Sequence, residues 1–392
     1  MEPSNEISTH KAARVDYVDW LRVVTTLCVF VFHSARFFDT FSDWHVKNGA
    51  PWIGGNIIVA FMSLWIMPMF MVLAGASTYY SLQSRSAWQY IRERVLRLLV
   101  PFLFGVLVVV APQRYYELLY RGKLSGANLL EFYSSYLLSL PRRFAHFGFY
   151  HLWFLALLFI FSLVCLPLFM NRSKKGVSPL AALASGIDCL WKLMLLLVLS
   201  LGLIDVFVYP GTLWGNRDAF GGWCLVAHLL FFISGYMIFA SPGMAQQMGR
   251  VSRLAGIGIV VSAIVLMPLV HQMLNWKHYF GSAAYGAAQM AQAVLSWCLL
   301  ISFINLGRWV FNFKNRFLAY ASEAVLPFYI LHQTVIIIVG SYVVRWELSP
   351  PLKYLVIVLV SFTLIITLYD LLIRRINVLR FLFGMRAIRK TA

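Results

Sequence analysis

Hydrophobic residues run along the chain in blocks of about twenty, with short polar stretches between them. The blocks are apolar on every side, with no stripe of period 3.6 or alternation of period 2. Ten such blocks stand at about 18–38, 56–80, 95–112, 151–171, 189–209, 222–240, 254–274, 286–306, 322–344 and 353–373. A helix of about 20 residues is long enough to cross the hydrocarbon core of a bilayer. The pattern therefore predicts an all-α, polytopic integral membrane protein of about ten transmembrane helices, forming one domain over 1–392. Pro68, Pro101, Pro167, Pro268 and Pro327 fall inside blocks. Each removes a backbone donor, so kinked spans are expected. The stretch 113–150 is the one sizeable connection between blocks, expected as an extracytoplasmic loop. Within it GANLLEFYSSYLLSLP is apolar but too short to span, which predicts an interfacial or re-entrant helix.

Composition removes other classes. Of 392 residues 60% are hydrophobic and only 12% are charged, half the charge of a soluble domain. That excludes a cytosolic enzyme, a secreted domain and a peripheral protein with one anchor. Lys and Arg number 33 against 15 Asp and Glu. In a soluble protein that excess would point to nucleic acid; here it points to loop charge that orients spans, and no nucleic-acid partner is expected. Basic residues gather in alternate connections, including Lys11 and Arg14, Arg85 to Arg97, Arg172 to Lys175, and Arg374 to Lys390. The positive-inside rule then puts both the 1–17 tail and the basic 374–392 tail in the cytoplasm. The N-terminal stretch lacks a cleavage site and is not expected to be a removable signal peptide. The five cysteines lie in apolar stretches without metal-ligand spacing, and no histidine–carboxylate spacing points to a metal.

Ionisable groups inside a bilayer are costly, so each is a functional candidate. The first block carries Asp19, Arg22, His33 and Arg36. Asp19 and Arg22 are three apart and can pair on one helix face. Arg22 and His33 are eleven apart, almost three whole turns, so they return to one face about 16 Å apart along the axis. One stripe thus holds a charged pair near the cytoplasmic surface and an imidazole in the outer half of the membrane. Imidazole is suited to proton transfer near neutrality, which makes His33 a candidate general base for a hydroxyl. Arg94 and Arg97, in R-x-x-R at the start of the third block, suit phosphates; taken alone they read better as a positive-inside flank.

The D-x-x-R-x10-H stretch at 19–33, the R-x-x-R at 94–97, HLWFL at 151–155 and FYILHQTVI at 328–336 together resemble the acyltransferase 3 family of membrane acyltransferases. The resemblance runs over nearly the whole chain, with the motifs in the family's order. Within the family, HSARFF and SEAVLPFYILHQ are similar to members that decorate periplasmic glucans with succinyl groups. The resemblance implies a multi-pass protein of the bacterial inner membrane, a cytoplasmic acyl-CoA co-substrate with no permanently bound cofactor, and an extracytoplasmic sugar acceptor. It implies that His33 is the essential histidine with Arg22 its partner, and that Arg94 and Arg97 hold CoA phosphates. Direct transfer and an acyl-His33 intermediate are both open.

Other polar residues carry weaker expectations. His332, after Pro327, orients His33, binds acceptor or bonds across helices. His151 and Trp153 stand at an expected span end, where the resemblance favours a substrate-lining role. Glu323 pairs with a basic loop residue or joins the lining. Arg36, three residues beyond His33, is placed to meet the free carboxylate of a succinyl donor. His10, His45, His146, His271 and His278 are expected to be solvated, and outer tryptophans including Trp44 to belong to the interfacial belt. The same chemistry with acetyl-CoA and a lipid-linked or surface polysaccharide is the nearest alternative. A glycan-precursor transporter or flippase is the alternative of another class, disfavoured by the absence of an inverted repeat.

Overall fold

The structure is a computed structural model, and it describes residues 16–124, 128–145, 148–170, 180 and 190–388. The Lys11–Arg14 tail, His10, His146, the Arg172–Lys175 stretch, Cys189, Arg389 and Lys390 lie outside the described residues. Among the described residues there is no strand. Among the described residues eight stretches are long and apolar enough to cross a membrane: Asp16–Ala35, Ile53–Leu82, Ala87–Tyr120, Leu129–Val164, Gly249–Leu274, Ala283–Val310, Arg316–Val343 and Pro350–Ile373, the fourth made of the separate helices Leu129–Ala145 and Trp153–Val164. The remaining two expected spans fall on the apolar helices Leu190–Phe207 and Leu225–Ala240. The protein is a multi-pass, all-α membrane protein.

Burial differs sharply among these helices. The apolar window of Arg316–Val343 is 72% buried and that of Asp16–Ala35 61%, whereas Gly249–Leu274 is only 17% buried and Pro350–Ile373 28%. The first pair are the central posts and pack on each other; the second pair present leucine, isoleucine and valine outward. In a soluble protein that surface would be a liability, but against lipid tails it costs nothing.

Two of the five expected kinks are helix restarts. Pro68 lies in the first turn of Ile66–Leu82, after a break at Leu64–Trp65, and Pro167 in the first turn of Leu166–Met170. Pro101 lies inside the continuous Ala87–Tyr120 stretch, just after the π turn Val95–Leu99. A first-turn proline gives up an N–H that has no intrahelical acceptor there. Pro268 and Pro327 do lie within helices.

The Ala87–Tyr120 stretch contains two π turns, Val95–Leu99 and Gly105–Val109, each followed within a turn by a proline, Pro101 or Pro112. A π turn re-registers the ladder and leaves carbonyls short of partners. The Tyr133 and Tyr136 hydroxyls donate to the Leu107 and Val106 carbonyls at 2.9 and 2.6 Å. Those tyrosines lie on Leu129–Ala145, the helix expected from the short apolar stretch. The 113–150 region is thus mostly helical rather than loop: the third span continues to Tyr120, and Leu129–Ala145 folds back along it. This return carries the chain inward, so that a 3-10 turn, Tyr150–Leu152, starts the next span beside the middle of Arg316–Val343.

Candidate active site

His33 occupies the last turn of the first helix. Its ring centroid is 5.2 Å from that of His332, and the His332 ring is 5.0 Å from that of His151. Three histidines from three distant segments thus converge, and His151 and His332 are fully interior. His151 and His332 are fixed by the backbone: His151 Nε2 donates to the Ile330 carbonyl at 3.0 Å, and His332 Nδ1 donates to the Tyr329 carbonyl. A carbonyl can only accept, so the bonded nitrogens carry the hydrogens. The opposite nitrogens, His151 Nδ1 and His332 Nε2, are then bare lone pairs. Both are buried without a hydrogen-bond partner among the described residues, as is His33 Nδ1. Tyr329, which donates to the His151 carbonyl oxygen, closes the group.

A narrow cavity of about 60 Å³ opens beside these rings. Val29, Phe32, Met62, Ile66, Met67, Trp153, Gly221 and Tyr329 line it together with Ser63, His33 and His151. Apart from Ser63, the polar edges of Tyr329 and Trp153, and the two imidazoles, the wall is apolar, and among the described residues no arginine or lysine lines it. Trp153, expected as substrate-lining, is part of this wall. His228 lies behind it, with its ring 5.2 Å from that of Trp153 and Nε2 bonded to the Phe220 carbonyl at 2.8 Å.

The loop after the first helix forms the other side. Trp44 stacks nearly parallel on His33 with centroids 6.1 Å apart, so it does more than anchor an interface. His45 corrects the expectation of a solvated ring: its side chain is only 12% exposed. Its Nδ1 donates to Glu117 at 3.1 Å, and its Nε2 faces the amide nitrogens of Gln333 and Gln113 at 2.9 and 3.3 Å. Glu117 also takes the Tyr150 hydroxyl and the guanidinium groups of Arg114 and Arg121. Burial pulls the His45 pKa below its ordinary value, against the Glu117 carboxylate, which raises it. Reading 113–150 as a loop concealed this cluster. The available signal was a Gln, Arg and Glu at helical spacing, Gln113, Arg114 and Glu117.

Arg36 does not face the cavity. It donates to Asp39 at 2.9 Å and to Ser42 at 2.8 Å, and Asp39 also takes Lys47 at 2.9 Å. These bonds cross-tie the loop that holds Trp44 and His45 in place.

The opposite end of the first helix is cationic. Arg22 pairs with Asp19 at 3.0 Å, as the three-residue spacing predicts, and also donates to Ser77 at 2.6 Å. The next residue, Thr78, bonds to the buried Tyr90 hydroxyl at 3.0 Å, and Arg94 lies over the Tyr90 ring. Arg22 and Arg94 therefore belong to one continuous assembly. Arg97 heads toward Glu93 at 3.4 Å, and Glu93 also holds Arg85 at 3.1 Å. Glu323 sits at this end, bonded to Arg380 and Tyr369 and away from the histidines. Among the described residues no three His, Cys, Asp or Glu side chains converge as a metal site.

The first helix thus carries a basic end and an imidazole end, and comparison with known proteins decides the family. The profile of a family described as an acyltransferase domain, the acyltransferase 3 type, matches residues 15–370. The chain belongs to that family. Curated relatives named glucans biosynthesis protein C, from Salmonella schwarzengrund (strain CVM19633) and from Salmonella typhi, are each 24% identical over 96% of both chains. No solved structure gives a significant match. The acyltransferase is thus similar, end to end, to proteins named for glucan biosynthesis.

Proposed function

We propose that this acyltransferase moves a succinyl group from cytoplasmic succinyl-CoA to a hydroxyl of a periplasmic glucan, with His33 as general base. The observation that carries the reading is His33 itself, half-buried at the end of a helix whose other end bears Arg22, and lining the apolar cavity. Arg94 and Arg97 hold the CoA phosphates, and the thioester arm runs along the first helix toward His33. His33 takes the proton of the sugar hydroxyl, and that oxygen attacks the thioester carbonyl carbon. The C–S bond breaks, and the proton passes from His33 to the departing thiolate, giving CoA and an O-acyl sugar. A dry apolar wall supports this step because it strengthens the imidazole's hydrogen bonds and keeps water from the thioester. The glucan acceptor is supported by the name of the relatives, and the succinyl donor by the HSARFF and SEAVLPFYILHQ resemblance.

The test is mass spectrometry of periplasmic glucans from cells lacking the protein, cells carrying it, and cells carrying His33→Ala at equal level. Succinyl increments are expected only with the intact protein. Acetyl increments would replace the donor. Unchanged glucans in all three would remove the glucan as acceptor, and normal acylation by the variant would remove His33 as base.

A further inference from the structure

The segment after the last span folds back beneath the bundle at the arginine end. Pro350–Leu368 passes through a π turn, Tyr369–Ile373, and is followed by the short helix Asn377–Leu382. The chain then reverses at Gly384, whose φ of +70° is the left-handed region that favours glycine. A β-carbon on Gly384 would stand 2.8 Å from Pro101, 2.9 Å from Leu326 and 3.1 Å from the Arg97 carbonyl oxygen. Phe383 packs edge-on against Phe104. The reversal is therefore wedged between the third and ninth spans, directly against the backbone of Arg97.

One buried arginine holds this segment. Arg380, 6% exposed, donates through Nε to the Arg386 carbonyl at 2.6 Å, through Nη1 to the Arg374 carbonyl at 3.0 Å, and through Nη2 to Glu323 at 2.6 Å. Ile388 N–H closes the fold on Asn377 at 2.8 Å. All this fixes the position of the Arg386 backbone, while the Arg386 side chain is left exposed. Arg386, Arg94 and Arg85 each lie within electrostatic reach of Arg97. Glu93 is the one carboxylate shared by Arg85 and Arg97, and Arg94 Nε is buried without a partner among the described residues. With Arg94 and Arg386 near Arg97 and only Arg85 and Arg97 paired to Glu93, the cluster carries an excess of positive charge and unused donors. Guanidinium groups so placed fit phosphate oxygens.

We infer that the 384–388 turn is the fourth wall of an anion site, where Arg386 joins Arg85, Arg94 and Arg97 to bind the phosphates of a nucleotide-bearing acyl donor. The inference rests on the reading of Arg94 and Arg97 as donor ligands. It assigns Arg380, Glu323 and Gly384 as positioning residues, which touch no donor and set where Arg386 stands.

The test is calorimetric titration of the purified full-length protein in detergent with CoA. Arg94→Ala is expected to weaken binding about tenfold, the loss of one charge-assisted contact, and Arg386→Ala by roughly three- to tenfold. Gly384→Ala, which keeps the arginine but displaces the turn, should weaken binding to the same degree as Arg386→Ala. Arg386→Lys should recover part of the loss. Arg253→Ala, an exposed cation near the start of the Gly249–Leu274 helix, should stay within about twofold, the scale of a screened surface charge. Weakening by Arg94→Ala with full affinity in Arg386→Ala would overturn the inference and leave the donor reading standing. Full affinity in both would overturn the donor reading as well.

Discussion

The two ends of the first helix are built on opposite principles. At the histidine end the cavity wall is mostly apolar, and the rings that meet there come from segments far apart in the chain: His33, Trp44, His151 and His332. At the arginine end the groups are charged, largely from one stretch between Arg85 and Arg97, and partly wet. Arg85 and Arg97 are 32% and 43% exposed in their side chains. The difference follows from desolvation. A buried uncompensated charge costs several kcal/mol, about enough to unfold a domain, whereas a neutral imidazole bonded to a carbonyl can be buried cheaply. On the proposed function, groups that meet and release a multiply charged ligand stand at the edge of water, and the group that moves one proton stands beside an apolar cavity. The comparison separates their consequences: substitutions at the dry end should act on kcat, and substitutions at the wet end on the donor KM.

The largest expected effect is at His33. His33→Ala should lower kcat by about 10²- to 10⁴-fold, the usual contribution of a positioned acid–base group. CoA affinity by calorimetry should stay unchanged. A loss of CoA affinity equal to the loss of rate would merge the two ends and break the comparison.

Next is the Glu117 cluster, which clamps the Trp44–His45 loop over the dry end. Glu117 is 7% exposed and takes Arg114, Arg121, His45 and Tyr150. Glu117→Gln keeps the shape and removes the charge that two guanidinium groups share. Breaking a buried pair costs about 3–5 kcal/mol, and partial exposure of both arginines reduces this to roughly 2 kcal/mol. Thermal unfolding in detergent should register that loss, with donor KM unaltered. An unchanged midpoint would show that the cluster does not clamp the loop.

Smaller again is the wet end. Arg94→Ala should raise the KM for the acyl donor about tenfold and leave kcat near its original value. High salt should shrink the difference, because exposed guanidinium groups are screened. A kcat effect without a KM effect would move Arg94 into the chemistry.

These sites were unequally legible in the sequence. The ten apolar blocks, the Asp19–Arg22 pair and the short helix within 113–150 follow from local rules of length and helical spacing, and all three are found in the structure. His45 was not legible, because its burial depends on Gln113, Glu117 and Gln333, up to 288 positions away. Pro112 disguised the end of the third span: it marks a boundary in sequence, yet the π turn before it lets the helix run on to Tyr120. The role of Gly384 was equally hidden, since a glycine announces a turn but not what the turn is pressed against. Spacing reads the stripe along one helix; only the packed bundle shows which stripes face each other.

The subtlest prediction concerns pH and tests whether the dry end is truly neutral. His45 faces Glu117, Arg114, Arg121, Gln113, Gln333 and Tyr150, and its pKa in the folded protein lies below the ordinary value of 6.5 because burial disfavours the cation. Below pH 6.5 the unfolded chain binds a proton at this position that the folded chain refuses. Its contribution to stability is therefore complete above that pH and erodes as the pH falls toward the folded-state pKa, at about 1.4 kcal/mol for each unit between the two values. Unfolding midpoints of the intact protein and of His45→Gln, measured from pH 7.5 to 5 by about half-unit steps, should converge toward acid. The glutamine has no proton to gain, so its curve should be the flatter of the two. Curves that diverge toward acid, with the intact protein gaining, would mean that His45 takes up a proton in the folded state and that the outer loop is held by an ion pair of the kind found at the arginine end; parallel curves would mean that burial does not shift His45.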